Sequence, residues 1–249
     1  MPKSTSETIY IDLPNSGRIP VRVIREPRRN ARASVGKRHL ILRRPRRSTS
    51  SQDRTAWEWF MDWARKMDTR NKGKQLAHLR QRYYTSGQQL QVGDYAYQLD
   101  IQEADRKTAA GRIIEQTIYL TLPRGLAAPQ RDKTIKTLLS RCVAADFLPR
   151  ITRRVHQLNQ QHFKQPINDV RLKYNHSNWG SCSNKGNINL STRLLFAPAE
   201  VIDYVIVHEL AHRLEFNHSP RFWQIVAKAM PDYQQQEAWL KQHYDQCDF

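Results

Sequence analysis

The stretch HELAHRLEFNH, residues 208 to 218, puts three histidines and a glutamate within eleven positions. In a helix, positions i and i+4 share a face and lie about 6 Å apart along the axis, so His208 and His212 can turn their imidazoles toward one ion. Glu209, beside the first of them, is then placed to work on a metal-bound water without being a ligand itself. On a straight helix His218 would lie ~15 Å along the axis from His208, too far to share that ion. The chain must therefore turn between Leu214 and His218. Asn217, tolerant of the left-handed conformation, followed by Ser219 as N-cap and Pro220 at the first helical position, predicts that turn. Three neutral imidazoles with a fourth position open describe a catalytic zinc, one Zn2+ per chain, rather than a closed structural one. The chemistry it would support is peptide-bond hydrolysis with no covalent intermediate and Glu209 as general base. Set against it is a hydrogen-bonded structural cluster, but three histidines and a carboxylate inside an apolar helix cost free energy unless something satisfies them.

The elements that must position these groups are legible around them. VIDYVIVHELAHRLEF (201 to 216) is apolar nearly all round and predicts a buried helix after Pro198, and RFWQIVAKAM predicts a second helix that Pro231 limits. Upstream, VRLKYNHSNWGSCSNKGNINLSTRLLF (170 to 196) holds two alternating runs around Asn184-Lys185-Gly186, which predicts a hairpin ending in the strand GNINLSTRL. A helical pattern runs from about 130 to 162, with a kink or break expected at Pro149. Earlier still, GQQLQVGDYAYQLDI and RIIEQTIYLTLP alternate as half-buried antiparallel strands do. The first part of the chain alternates at TIYIDL, IPVRVIRE and HLILRR. A helix over 50 to 67 follows, with Trp57, Phe60, Met61 and Ala64 on one face and Asp53 as N-cap. No sequence repeat is evident. The expected fold is α+β: a basic β-rich region with one Trp-bearing helix over 1–125, then a helical catalytic domain with a small antiparallel sheet over 126–249.

Charge and composition narrow the setting. The chain carries a formal net charge of +18. Residues 18 to 47 hold twelve Lys and Arg against Glu26 alone, whereas residues 198 to 249 hold eight Asp and Glu against four Lys and Arg. The basic surface and the histidine cluster thus belong to different parts of the chain. No apolar run reaches the ~18 residues of a membrane span, and the first residues lack the apolar core of a signal peptide. The chain reads as soluble and cytoplasmic, with no membrane partner. Cys142, Cys182 and Cys247 are odd in number and widely spaced, which indicates neither a disulfide framework nor a cysteine zinc site.

WGSCSNKGNINLSTRL (179 to 194), APAEVIDYVIVHELAH (197 to 212) and NHSPRFW (217 to 223) together resemble the YgjP-like zinc metallopeptidases, relatives of the WLM and SprT-like groups. The resemblance implies a zincin-like catalytic domain, with His208, His212 and His218 as zinc ligands, Glu209 as general base, and a strand around Asn187 to Ser191 bordering the substrate cleft. The histidine spacing also matches the metzincins, but Glu215 stands where their glycine does and no Met-turn follows.

Other residues have two readings each. Trp179, Ser181 and Cys182 either shape the cleft or pack before the hairpin. Cys182 paired with His176 is a further nucleophile candidate. Arg193 either binds a substrate carboxylate or the oxyanion, or points outward from a strand. The basic stretch 18 to 47 is either a solvated surface or a nucleic-acid contact, with Trp57, Trp59 and Trp63 as base-stacking candidates. WLM and SprT-like relatives that act on DNA-attached proteins make a peptidase working on nucleic-acid-bound protein the family-level expectation. The alternative function is a nucleic-acid-binding protein whose zinc site is structural or degenerate. The protein or peptide substrate itself and the oligomeric state are left open.

Overall fold

The computed structural model describes residues 5–36, 39–79, 83–244 and 246–249. The chain divides into two compact units, 1–83 and 84–249.

In the first unit, strands β1 (Thr5–Leu13), β2 (Gly17–Glu26), β3 (Arg32–Val35) and β4 (Leu40–Pro45) form one sheet in the order β1-β2-β4-β3. Period-two alternation sends Ile19, Val21, Val23, Leu40 and Leu42 to one face, where they form a core with Phe60 and Ala64 of helix α1 (Ser50–Thr69). The α1 N-cap is Thr49, not Asp53. Its hydroxyl accepts from Gln52 N at 3.2 Å and Gln52 Oε1 accepts from Thr49 N at 2.9 Å, a reciprocal box that an aspartate one turn later cannot make. Asp53 instead pairs with Arg25 and Arg44. Burial works against its ionisation, but hydrogen bonds from Ser48 and Arg25 and the two cations outweigh it, so its pKa is lowered.

The second unit opens with β5 (Gln89–Val92), β6 (Tyr95–Ala104), β7 (Ala110–Ile114) and β8 (Thr117–Pro123), in the order β5-β6-β8-β7. In both four-stranded sheets the outer pairs are antiparallel and the central pair, β2 with β4 or β6 with β8, is parallel. A long helix follows each sheet, so the chain uses one four-strand-plus-helix arrangement twice, a repeat of topology with no counterpart in the sequence. The sheets are mixed rather than purely antiparallel because the third strand of each set pairs outside the fourth. Leu99, Ile118, Leu120 and Leu122 of the second sheet share one core with Leu139, Val143 and the buried residues of the histidine-bearing helix. The sheet of 89–123, grouped by sequence with the amino-terminal region, thus belongs structurally to the second unit.

Helix α2 (Ala128–Leu158) runs unbroken through Pro149. Pro149 and Ala145, whose carbonyl loses its helical partner, are both exposed, so water can satisfy that carbonyl. The helix ends in a π turn over Asn159–Phe163 and a left-handed Lys164. A three-stranded sheet follows, made of β9 (Asp169–Lys173), β10 (Gly180–Cys182) and β11 (Asn187–Ser191) in the order β10-β11-β9. β10 and β11 form the expected hairpin around Gly186 at φ +79°, and β9 joins β11 in parallel. Helices α3 (Ala199–Ala211), α4 (Pro220–Ala229) and α5 (Tyr233–His243) complete the unit. No helix among the described residues is long and apolar enough to cross a membrane.

Candidate metal centre

Helix α3 buries Val201, Tyr204, Val205, Ile206, Val207, Leu210 and Ala211, which explains its all-round apolar pattern. Pro198 is its N-cap and His212 its C-cap, so the helix stops a turn earlier than the sequence suggested. The reversal is made by tight bonds, Arg213 N to Leu210 O and Leu214 N to Ala211 O at 2.9 Å each, and Ser219 N to Asn217 O at 2.7 Å. Asn217 is not left-handed; these short-range bonds make the turn without it. Ser219 caps α4 as expected, its hydroxyl accepting from Phe222 N at 3.3 Å, and His218 is held just before that cap.

The result brings the three histidines together. One ring nitrogen from each of His208, His212 and His218 lies within 4.8 Å of the others. The Nε2 atoms of His208 and His218 are 3.0 Å apart. Two imidazole nitrogens on a tetrahedral zinc at ~2.0–2.1 Å would be about 3.3 Å apart, so this spacing fits a shared ion. His212 Nδ1 lies 3.2 Å from the Glu215 carbonyl, which fixes that nitrogen as the donor and leaves Nε2 free to bind metal. Burial, then His212 and His218, bring the His208 pKa down to about 4, and burial with His218 also lowers that of His212. Both rings are therefore neutral, as ligands must be.

Two residues that the sequence did not single out support the centre. Phe222 is fully buried, and its ring centre lies 4.9, 4.7 and 4.8 Å from those of His208, His212 and His218, a common backing for all three. Gly180 lies against Glu209: a Cβ there would sit 2.5 Å from Oε1. Glu209 itself is only 5% exposed, and burial pushes its pKa up to about 8. The one available signal for Gly180 was the glycine between Trp179 and Ser181.

The centre opens into a cavity of about 670 Å³. Its walls are the 178–182 segment, α3 from Tyr204 to His212, Phe216 and one side of α5. Trp179, Ser181 and Cys182 therefore line the cleft, Ser181 and Cys182 on the edge strand itself and Trp179 just before it. The strand Asn187–Ser191 does not border it, being central between β10 and β9. Ser191 N donates to Trp179 O at 2.8 Å and Ser183 N to Asn187 O at 3.0 Å. Antiparallel alternation then turns the backbone groups of Gly180 and Cys182 away from β11, toward the open edge.

Arg193 is not a cleft residue. It is 3% exposed, in the 3-10 turn Thr192–Phe196, and donates to the carbonyls of Cys247 at 2.7 Å, His176 at 3.0 Å and Tyr244 at 2.7 Å. A strand arginine facing outward is excluded by the same burial. Cys182 has its pKa raised to about 11 by burial and the Glu209 charge, which suits no nucleophile at neutral pH. His176 engages Tyr244 rather than Cys182.

The solved structures that resemble the chain include two metallopeptidase zymogens. They are abylysin of Pyrococcus abyssi (23% identity over 37% of this chain and 93% of that one, TM-score 0.34) and jannalysin of Methanocaldococcus jannaschii (20% identity, 38% and 96%, TM-score 0.33). No curated protein matches. The profile of the YgjP-like metallopeptidase domain matches residues 10–243. The chain accordingly belongs to the YgjP-like family of zinc metallopeptidases.

Proposed function

We propose that His208, His212 and His218 hold one zinc ion per chain and that Glu209 is the base of a peptide hydrolysis carried out in the cavity they border. The observation that carries this reading is the convergence of three imidazole nitrogens beside a buried carboxylate on the wall of an open cleft. Zinc at this site would polarise the scissile carbonyl and acidify a water. Glu209 takes the water's proton and passes it to the leaving amine; its burial among apolar groups keeps its pKa close to working pH, which suits a group that must both accept and release a proton. The backbone groups of Gly180 and Cys182 that face away from β11 offer an extended substrate a strand to pair with, the Gly180 carbonyl exchanging the Asn178 amide that donates to it at 3.0 Å for a substrate N–H. Glu209→Gln tests the mechanism: it is expected to keep its zinc and lose hydrolysis of a protein substrate, and full retained activity would contradict it.

The finer reading is that the substrate is protein associated with nucleic acid. Residues 1–83 hold twenty-one Lys and Arg against seven Asp and Glu, so this unit carries +14 of the +18 total. Opposite the α1-covered face of its sheet, alternation puts Arg18, Arg22, Arg32 and Arg43 on one face, with Arg32 directly across from Arg43, and Arg18 lies over the Tyr10 ring at 4.6 Å. Lys37 and Arg38 of the basic stretch lie outside the described residues. Trp57 and Trp63 flank Phe60 in the core, and Trp59 is the exposed one of the three. Anisotropy titration with single- and double-stranded DNA at several salt concentrations tests this. The expected result is a log–log slope that becomes shallower in Arg22→Ala/Arg32→Ala, and an absence of salt-dependent binding would remove it. Three free cysteines suit the reducing cytoplasm as its setting.

A further inference from the structure

The cavity extends past the metal centre into a recess between α3 and α5. Tyr204 and Val205 stand one helical turn before His208 and Glu209, and a turn is ~5.4 Å, about the reach from a scissile bond to the side chain of a flanking residue. Facing them across the recess are Glu237, Leu240 and Lys241 of α5, with Trp179 from just before the edge strand. Trp179, Val205 and Leu240 supply apolar wall. The charged residues among the described ones facing the recess, Glu237 and Lys241, pair with each other at 2.8 Å, and both keep their ends toward solvent, at 36% and 70% side-chain exposure. The recess thus has an apolar interior and a charge-neutral rim. Tyr204 is 5% exposed and lines the cavity without a hydrogen-bond partner for its hydroxyl among the described residues.

From this geometry we infer that the recess is the specificity pocket of the peptidase, selecting a large apolar side chain, aromatic or long aliphatic, on a residue adjoining the scissile bond. A small side chain would leave the walls unfilled, and a charged one would be desolvated with Glu237 and Lys241 already paired. Tyrosine is favoured over phenylalanine, because its hydroxyl can pair with that of Tyr204, which has no partner among the described residues. The inference rests on the peptidase reading of the adjoining centre and is tested separately from it.

The zinc-loaded protein is given a mixture of peptides and the bonds cut are read by mass spectrometry, beside Leu240→Trp, which fills the recess, and Tyr204→Phe. Cleavage next to large apolar residues is expected. In Leu240→Trp the kcat/KM ratio should shift at least about 10-fold toward alanine and serine, and in Tyr204→Phe the tyrosine advantage should vanish. Cleavage without side-chain preference, or a preference unchanged in a folded Leu240→Trp, overturns the pocket while leaving the peptidase intact. Should the wild type cut nothing, the hydrolytic reading fails, and peptide binding to Glu209→Gln, read by fluorescence anisotropy, decides the pocket. At least about 10-fold tighter binding of a tyrosine-centred peptide than of its alanine counterpart supports it, and equal binding overturns it.

Discussion

Gly180 and Glu209 are in contact across the cleft, so close that a single added carbon at Gly180 would lie 2.5 Å from the carboxylate oxygen and 2.7 Å from its Cγ. The edge strand on which a substrate would pair and the base that would serve its hydrolysis are thus packed as one surface. Gly180→Ala must push Glu209 aside or shift the strand. The expected outcome is a fall in kcat of about 100-fold with zinc content unchanged, since misplacing a catalytic group by ~1 Å costs that much. Steady-state kinetics with parallel metal analysis checks it, and wild-type kcat would separate Gly180 from the chemistry.

Arg193 ties three carbonyls of the carboxy-terminal segment and strand loop to the protein interior, and its guanidinium stacks over Tyr244 at 4.3 Å and Trp179 at 4.9 Å. Arg193→Leu leaves those carbonyls without their charged donor and is expected to cost about 3 kcal/mol or more of stability, read from the urea midpoint. Arg193→Lys should recover only part of this, because an ammonium cannot span the three acceptors. Wild-type stability with abolished hydrolysis would instead make Arg193 a substrate contact.

Cys182 lies in the cleft with its pKa pushed up to about 11, first by burial and then by the neighbouring carboxylate. Raising a thiol's pKa keeps it protonated, so at pH 8 only about one thiol in a thousand is thiolate. Alkylation by iodoacetamide at pH 8 should be about 100-fold slower than for a free thiol and should rise about tenfold per pH unit up to about 11. Rapid labelling at pH 7 would mean a thiolate is present and would reopen Cys182 as a nucleophile.

What the sequence disclosed and what it withheld follow from the range of the interactions involved. His208, His212 and His218 could be read because the ligands are near in sequence and the break between α3 and α4 is written in local residues, Ser219 and Pro220. The site of the turn was harder to read: α3 stops at Ala211 through hydrogen bonds that many sequences can make, and Asn217 is not left-handed. Gly180, Phe222 and the place of β10 at the sheet edge depend on contacts between separate elements, which periodicity does not report. Arg193 looked like a strand residue because NINLSTRL alternates, yet the strand ends at Ser191 and a 3-10 turn carries the arginine inward. The parallel central pair of each four-stranded sheet was hidden for a similar reason: alternation tells which face a residue takes, not which neighbour its strand pairs with.

The most direct measurement of the central claim is the zinc content of the untagged protein, set beside that of His218→Ala and Glu209→Gln. The account predicts about one zinc per chain in the wild type and in Glu209→Gln, and a marked loss in His218→Ala, because removing one of three imidazoles leaves two protein ligands on a site that needs three. A wild type that takes up no zinc, or a His218→Ala protein that holds it as firmly, would contradict the three-histidine centre.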